Sequence, residues 1–205
     1  LPIYDDESLR EINIPDVLKN LENAMNVISY SGSEALDIKI VKNRMLSDNE
    51  QPRVFFNDKV IVESDLTFDA WSNVTKEDVS AKDYLENFNL LYPKKQDPTV
   101  SFEIIKVSHL KKTSYYYYNV VFESTFKNKD YNGNPYVPVQ RMMEVRLAFD
   151  TVWNAYINSV RFLPKKFNID DPKNNFNDFA ASFSRTTDFK MQRLAQKRER
   201  RKSTR

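Results

Sequence analysis

Apolar residues recur at helical spacing near the start of the chain, where Ile14, Val17, Leu18, Leu21, Met25 and Ile28 fall on one side of a projected helix. Pro15 suits the first turn of that helix, and Gly32 stands just beyond its end. The pattern predicts a second helix from Ser33, a good N-cap, to about Met45, with Leu36, Ile40 and Val41 inward. The β-branched Ile38, Ile40 and Val41 keep a strand open as the alternative. Arg53 to Asn57 and Val60 to Glu63 read as short strand pieces parted by the turn-prone Asn57-Asp58 pair, forming a hairpin or a kinked strand. Ser80-Ala81-Lys82-Asp83 then resembles a capping box with Asp83 in the place usually held by Glu or Gln. Tyr84, Leu85, Phe88 and Leu91 give the helix that follows one apolar face, and Pro93 ends it.

Further along, the period shifts to two. Four strands are predicted, at Val100 to Leu110, Ser114 to Lys127, Val139 to Asp150 and Trp153 to Phe162. In the second, Tyr116, Tyr118, Val120, Phe122 and Phe126 share a face, while Tyr115, Tyr117, Asn119, Val121, Glu123 and Thr125 share the other. In the third, Met143, Val145, Leu147 and Phe149 oppose Glu144 and Arg146. One face is therefore expected to be core and the other mixed and wetted, with Arg141, Glu144 and Arg146 in solvent-facing ion pairs worth about 0.5 kcal/mol or less each. The links Lys111-Lys112, Asn132-Gly133-Asn134-Pro135 and Thr151-Val152 suit an antiparallel meander. Strands of this length imply strong twist or curvature.

The expected fold class is α+β, with N-terminal helices packed on a long, curved antiparallel β-sheet and a C-terminal extension. This order resembles the cystatin-like cone of the NTF2-like superfamily. The resemblance extends to Arg53-Val54-Phe55-Phe56 leading into Val60 to Leu66, to Asp83-Tyr84-Leu85, and to Arg141 to Phe149 with Trp153 to Val160, and covers roughly residues 12 to 163. It is closest in texture to modules of exported bacterial proteins, which implies a periplasmic or otherwise exported setting. NTF2-like sheets commonly pair, so the resemblance also implies a homodimer as one form of the protein. The superfamily holds enzymes, ligand binders and interaction domains, and the fold alone does not choose among them.

At 205 residues the chain can bury one good core. Residues 1–163 are read as the domain, 164–189 as an extension and 190–205 as a tail. With Gly32 and Gly133 its only glycines, neither a P-loop nor a dinucleotide fingerprint can be written. The sole histidine, His109, excludes every two-histidine metal site and reads as a strand-end surface residue. The absence of cysteine excludes disulfides, thiolate chemistry and cysteine-ligated zinc. No cofactor or metal is called for, and no apolar run approaches the roughly 18 residues of a membrane span.

The resemblance places acid-base residues in the mouth of the cone, where Asp65, Glu63, Tyr116, Tyr118 and His109 are the possible players. Tyr116, Tyr118 and Asp65 form the candidate pocket set, although no pair has a spacing that chemistry demands. Asp65 also reads as a strand end capping the next turn, Glu63 as an outward residue of an edge strand, and the tyrosines as sheet core with hydroxyls at the rim. No catalytic set is assigned. The Asn73-Val74-Thr75 glycosylation tripeptide carries no weight.

The C-terminal end differs in kind. The extension is rich in Asn, Asp and Lys yet carries Phe167, Phe176, Phe179, Phe183 and Phe189, and burying one such ring stabilises by about 2 kcal/mol. Phe176, Phe179 and Phe183 lie at helical spacing and are the candidate partner-binding residues, docking on their own domain or on another protein. From residue 190 onward come Lys190, Arg193, Lys197, Arg198, Arg200, Arg201, Lys202 and Arg205 against Glu199 alone. That tail carries +7 of a chain total of +2, leaving the preceding residues at −5. It is the candidate anion-binding segment, suited to a polyanion or an anionic lipid surface, or else a solvated end. The leading functional reading is a non-catalytic protein-interaction module of a larger assembly, attached through extension and tail. The alternatives are a small-molecule binder or enzyme using the cone, and nucleic-acid or lipid association through the tail.

Overall fold

The computed structural model describes residues 6–47, 52–67, 77–164 and 167–171, with the backbone path alone for 6–13. Among the described residues three helices, α1 (Asp6–Ser29), α2 (Ala35–Leu46) and α3 (Ala81–Leu91), accompany seven strands: β1 (Ile61–Glu63), β2 (Asp78–Ser80), β3 (Val100–Val107), β4 (Lys111–Lys112), β5 (Tyr116–Phe126), β6 (Val139–Phe149) and β7 (Trp153–Phe162). The strands form an open sheet in the order β2-β1-β7-β6-β5-β3, with β4 also on β5. All pairings are antiparallel except β1 with β7. The fold is therefore α+β, as the change of period along the chain predicts. No helix of the described residues is long and apolar enough to cross a membrane. The chain divides into two compact units, Leu1–Lys165 and Lys166–Arg205. In the second, the described residues make a turn in which the Asp171 N–H donates to the Asn168 carbonyl.

Helix α1 begins a full two turns before the expected start, so Pro15 lies inside it rather than in its first turn. A proline there lacks the N–H that would close the turn to the residue four before it. The predicted stripe is nonetheless the buried one: Ile14, Val17, Leu18, Leu21, Met25 and Ile28 are all within the core. Two polar residues of α1 also dress the sheet edge. The Asn26 carboxamide accepts from the Thr99 and Val100 N–H groups and donates to the Val100 carbonyl, all at 2.9 Å, and Glu22 accepts from the Phe102 N–H at 2.9 Å. Strand β3 ends the sheet, and these bonds occupy donors that an edge strand would otherwise offer to another chain.

Helix α2 forms, but on another phase. Ile38 and Met45 are buried with Val41 partly so, whereas Leu36 is 62% exposed and Ile40 lies at the surface. The segment carries two apolar stripes, and packing against α1 and α3 selects the one containing Ile38 and Met45. Its N-terminus is set by Glu34, whose N–H donates to Asp37 Oδ2 at 3.0 Å, while Ser33 Oγ donates back to the Val27 carbonyl at 2.7 Å. Helix α3 starts as its sequence predicts: the Asp83 N–H donates to Ser80 Oγ at 3.0 Å and Ser80 Oγ to Asp83 Oδ2 at 2.7 Å. Phe88 from α3 meets Tyr92 and Phe126 with ring centroids 5.4 Å away, and Tyr136 stacks on Phe126 at 4.1 Å. Pairs of this kind contribute about 0.5–1.5 kcal/mol each beyond the area they bury.

The pieces around Asn57 follow the kinked-strand alternative. Phe55 bridges to Ile157, then the chain loops out and returns as β1, pairing Ile61 with Ser159 and Val62 with Val160. The meander β3-β5-β6-β7 forms as predicted and carries two bulges: at Ile105, where Ile104 faces Phe122 and Lys106 faces Val121, and at Asn158, where Glu144 faces Ser159 but the next residue, Val145, faces Ile157. Tyr118, Val120, Phe122, Met143, Val145 and Leu147 face the helices as expected. The opposite face departs from expectation, since Tyr117, Asn119, Val121, Met142 and Glu144 are buried there rather than wetted. Alternation tells which face a side chain takes but not how deeply neighbouring long side chains bury it.

Candidate functional site

Two clusters of buried polar groups lie on the two faces of the sheet. The first forms on the helix side around Asp65, which follows β1 and is fully buried. Arg141 Nη1 sits 3.0 Å from Asp65 Oδ2, and both side chains are enclosed. Arg141 therefore turns into the core, in phase with Met143 and Val145, and makes no solvent-facing ion pair. Tyr84 from α3 donates to Asp65 Oδ1 at 2.8 Å, and Tyr136 donates to Oδ2 at 2.6 Å. Ser124 from β5 donates to Oδ2 at 3.4 Å and stands 2.9 Å from the Tyr136 hydroxyl. The second guanidinium nitrogen of Arg141 donates to the Glu63 carbonyl, and its Nη1 also reaches Tyr84 at 3.4 Å.

The carboxylate thus collects a cation and three hydroxyls. A buried ion pair is tolerated only when its remaining lone pairs and protons are used, and here almost all are, Arg141 Nε being the one atom of the cluster without a hydrogen-bond partner among the described residues. Burial, followed by the Asp65 charge, pushes the Tyr84 hydroxyl well above the ordinary tyrosine range, with Arg141 only partly offsetting it. The same two causes raise Tyr136 and Tyr92, with the Asp130 charge adding to the latter, whose hydroxyl donates to the Leu66 carbonyl at 3.3 Å. For Arg141, burial pulls the guanidinium down, but the Asp65 carboxylate and the tyrosines outweigh it and the net shift is upward. These tyrosines are locked as donors and the arginine as a cation. The network ties α3, β1, β5 and β6 together.

The other residues of the candidate pocket set lie elsewhere. Tyr116 and Tyr118 stand six to eight residues along β5 from Ser124, roughly 20 Å or more of strand. Tyr118 is wholly buried in the core, and Tyr116 packs edge-on against Trp153 with Lys112 over its ring at 4.9 Å. Glu63 accepts from the Phe162 N–H at 2.7 Å, and His109 is exposed just past β3. A cleft of about 360 Å³ opens between α2 and α3, floored by Leu46 and Leu85 and rimmed by Lys39 and Lys82, with Lys42 bound to Glu86 across it at 2.7 Å. No group of metal-ligating side chains occurs among the described residues. Phe176, Phe179 and Phe183, the tail cations Lys190 to Arg205 and Asn73 lie outside the described residues.

The second cluster occupies the opposite face, where Asn119, Glu144 and Ser159 stand side by side on β5, β6 and β7. The bulge turns Asn158 toward the same place. Its Nδ2 donates to Glu144 Oε1 at 2.7 Å, as does the Tyr115 hydroxyl at 2.7 Å. Among the described residues Glu144 has no cationic partner: Arg146, two residues along β6, lies instead between two rings, 3.9 Å from the Phe56 centroid and 4.5 Å from that of Tyr115. Arg53 repeats the arrangement over Phe56 and Tyr156 at 5.2 and 4.6 Å. Each such stacking contributes about 0.5–2 kcal/mol. Glu144 Oε2, both amide atoms of Asn119, and Ser159 Oγ are buried without hydrogen-bond partners among the described residues.

The sequence pattern places Glu144 in a solvent-facing ion pair and Asn119 on the same mixed, wetted face, whereas both are fully buried. The parity of β6 was the available signal for Arg141, since a cation on the Met143 side of the strand must find a buried carboxylate. No family model, curated protein or solved structure matches the chain.

Proposed function

We propose that the chain is a non-catalytic protein-interaction module with an NTF2-like domain, attached to a larger assembly through its C-terminal extension and basic tail. The observation that carries this reading is the state of the helix-side interior. Where an enzyme of this architecture needs a polar-lined cavity, Phe88, Tyr92, Phe126 and Tyr136 pack ring on ring, and the polar groups around Asp65 are engaged in an ion pair and hydrogen bonds. Helices ahead of a four-strand antiparallel run, with the short β1 returning alongside β7, support the NTF2-like assignment. Phe176, Phe179 and Phe183 then supply the apolar contact, and the +7 tail an electrostatic one.

Affinity capture from the native host, comparing the full chain with one ending at Leu163, tests this. A stoichiometric protein that co-purifies with the full chain and is lost on truncation is the expected result. A small molecule retained by both versions, with no protein partner, would overturn it in favour of a pocket. Nucleic acid released steeply by salt would transfer the function to the tail.

A further inference from the structure

The carboxylate of Glu144 is fully buried, bears two neutral donors on one oxygen and has nothing on the other. A buried charge is costly unless paired, and the two nearby arginines, Arg146 and Arg53, are held on aromatic rings. Its neighbours in the same row across the sheet add further unused acceptors: Asn119 Oδ1 from β5 and Ser159 Oγ from β7. Three acceptors of this kind, one of them charged, match the three donors of a lysine ammonium. The next row along the strands, Val121 beside Met142, is apolar and buried, and suits the methylene stem of such a side chain.

We propose that the buried row of Asn119, Glu144 and Ser159 is a binding site for a lysine side chain of a partner protein. Glu144 Oε2 forms the ion pair, Asn119 Oδ1 and Ser159 Oγ take the remaining two ammonium protons, and Asn119 Nδ2 is left to donate to a carbonyl of the same partner. Tyr115, bonded to Glu144, and Arg146, stacked on its ring, are both half-buried, and entry of the ammonium requires the Tyr115 ring to turn aside from Glu144. The site deepens the interaction-module reading by naming the chemistry of one contact, and it rests on that reading for the existence of a partner.

The test titrates the full chain with the capped tripeptide Ala-Lys-Ala, and with the same peptide carrying norleucine for lysine, while following the Asn119 side-chain amide by NMR. The expected result is a saturable shift with the lysine peptide and none with norleucine. Affinity should fall roughly tenfold or more in Glu144→Gln and about threefold in Ser159→Ala, in keeping with the loss of a charge-assisted and a neutral hydrogen bond. Folding of each variant is checked from its backbone spectrum, and Ser159→Ala carries the comparison if Glu144→Gln does not fold. An unmoved Asn119 amide, as when the chain itself already fills the site, overturns the proposal, as does equal binding of norleucine or an undiminished affinity in both variants. Peptide binding with no partner recovered by capture would sink the module reading while leaving the site standing; the reverse would remove the site alone.

Discussion

Asp65 and Glu144 are both fully buried carboxylates on one sheet, yet they are treated in opposite ways. Asp65 has a guanidinium at 3.0 Å and hydroxyls from three separate elements, so every strand or helix it touches is bound to the others. Glu144 receives only Tyr115 and Asn158, and the cations near it are engaged with rings. Burial alone therefore does not distinguish a structural group from a recognition group. What distinguishes them is whether the chain itself completes the coordination of the charge.

The sharpest way to break this contrast is to remove one member of the completed pair. Asp65→Leu leaves Arg141 buried and uncompensated and should lower unfolding free energy by about 3–5 kcal/mol in urea titrations, whereas the double variant with Arg141→Met should recover most of that loss. A single variant as stable as the parent would show that the pair contributes no net stability. Next in size is the response to base. Unfolded tyrosines ionise from about pH 10, while Tyr84, Tyr136 and Tyr92 hold their protons in the fold, so unfolding releases protons there. Stability should be intact below about pH 10 and fall above it by up to about 1.4 kcal/mol per pH unit for each tyrosine, as read from denaturant melts with tyrosinate absorbance.

A smaller effect is expected across the sheet. Tyr115→Phe strips one of the two donors from Glu144 and should cost about 1–2 kcal/mol by thermal or urea melts. Smallest of all is Glu144→Gln, which removes a charge that has no cation among the described residues and should fall within about 1 kcal/mol of the parent in either direction. A loss of 3 kcal/mol or more there, by the same melts, would place Glu144 alongside Asp65 as a structural ion and end the comparison.

How far the sequence discloses this varies with the physics involved. Period and capping revealed all three helices and the four long strands, because Ser80-Asp83 and the alternation through Tyr116 to Phe126 are local signals. The inward face of α2 was missed because Leu36 with Ile40 and Ile38 with Met45 compete as stripes, and only tertiary contact decides between them. Strand β2 was missed altogether, being three residues long and paired only through β1. Asp65 was singled out, but with Tyr116 and Tyr118 as companions rather than Tyr84, Tyr136, Ser124 and Arg141. Those four converge from α3, β5, β6 and the loop before it, and no spacing in the chain encodes that meeting. The Glu144 cluster depends on a bulge at Asn158, and a bulge leaves no mark in a run of alternating residues.

The parallel pairing of β1 with β7 joins residues about 100 positions apart. A chain emerging from the ribosome makes α1, α2 and β1 long before the sheet partner of β1 exists, and long-range pairings of this kind slow folding. Synthesis halted before residue 153 would leave β6 as a bare, apolar edge and the segment Val54 to Glu63 with nothing to lie against. Strand β7 thus commits a segment made about 100 residues before it, and termination ahead of it should yield an aggregating product rather than a smaller domain.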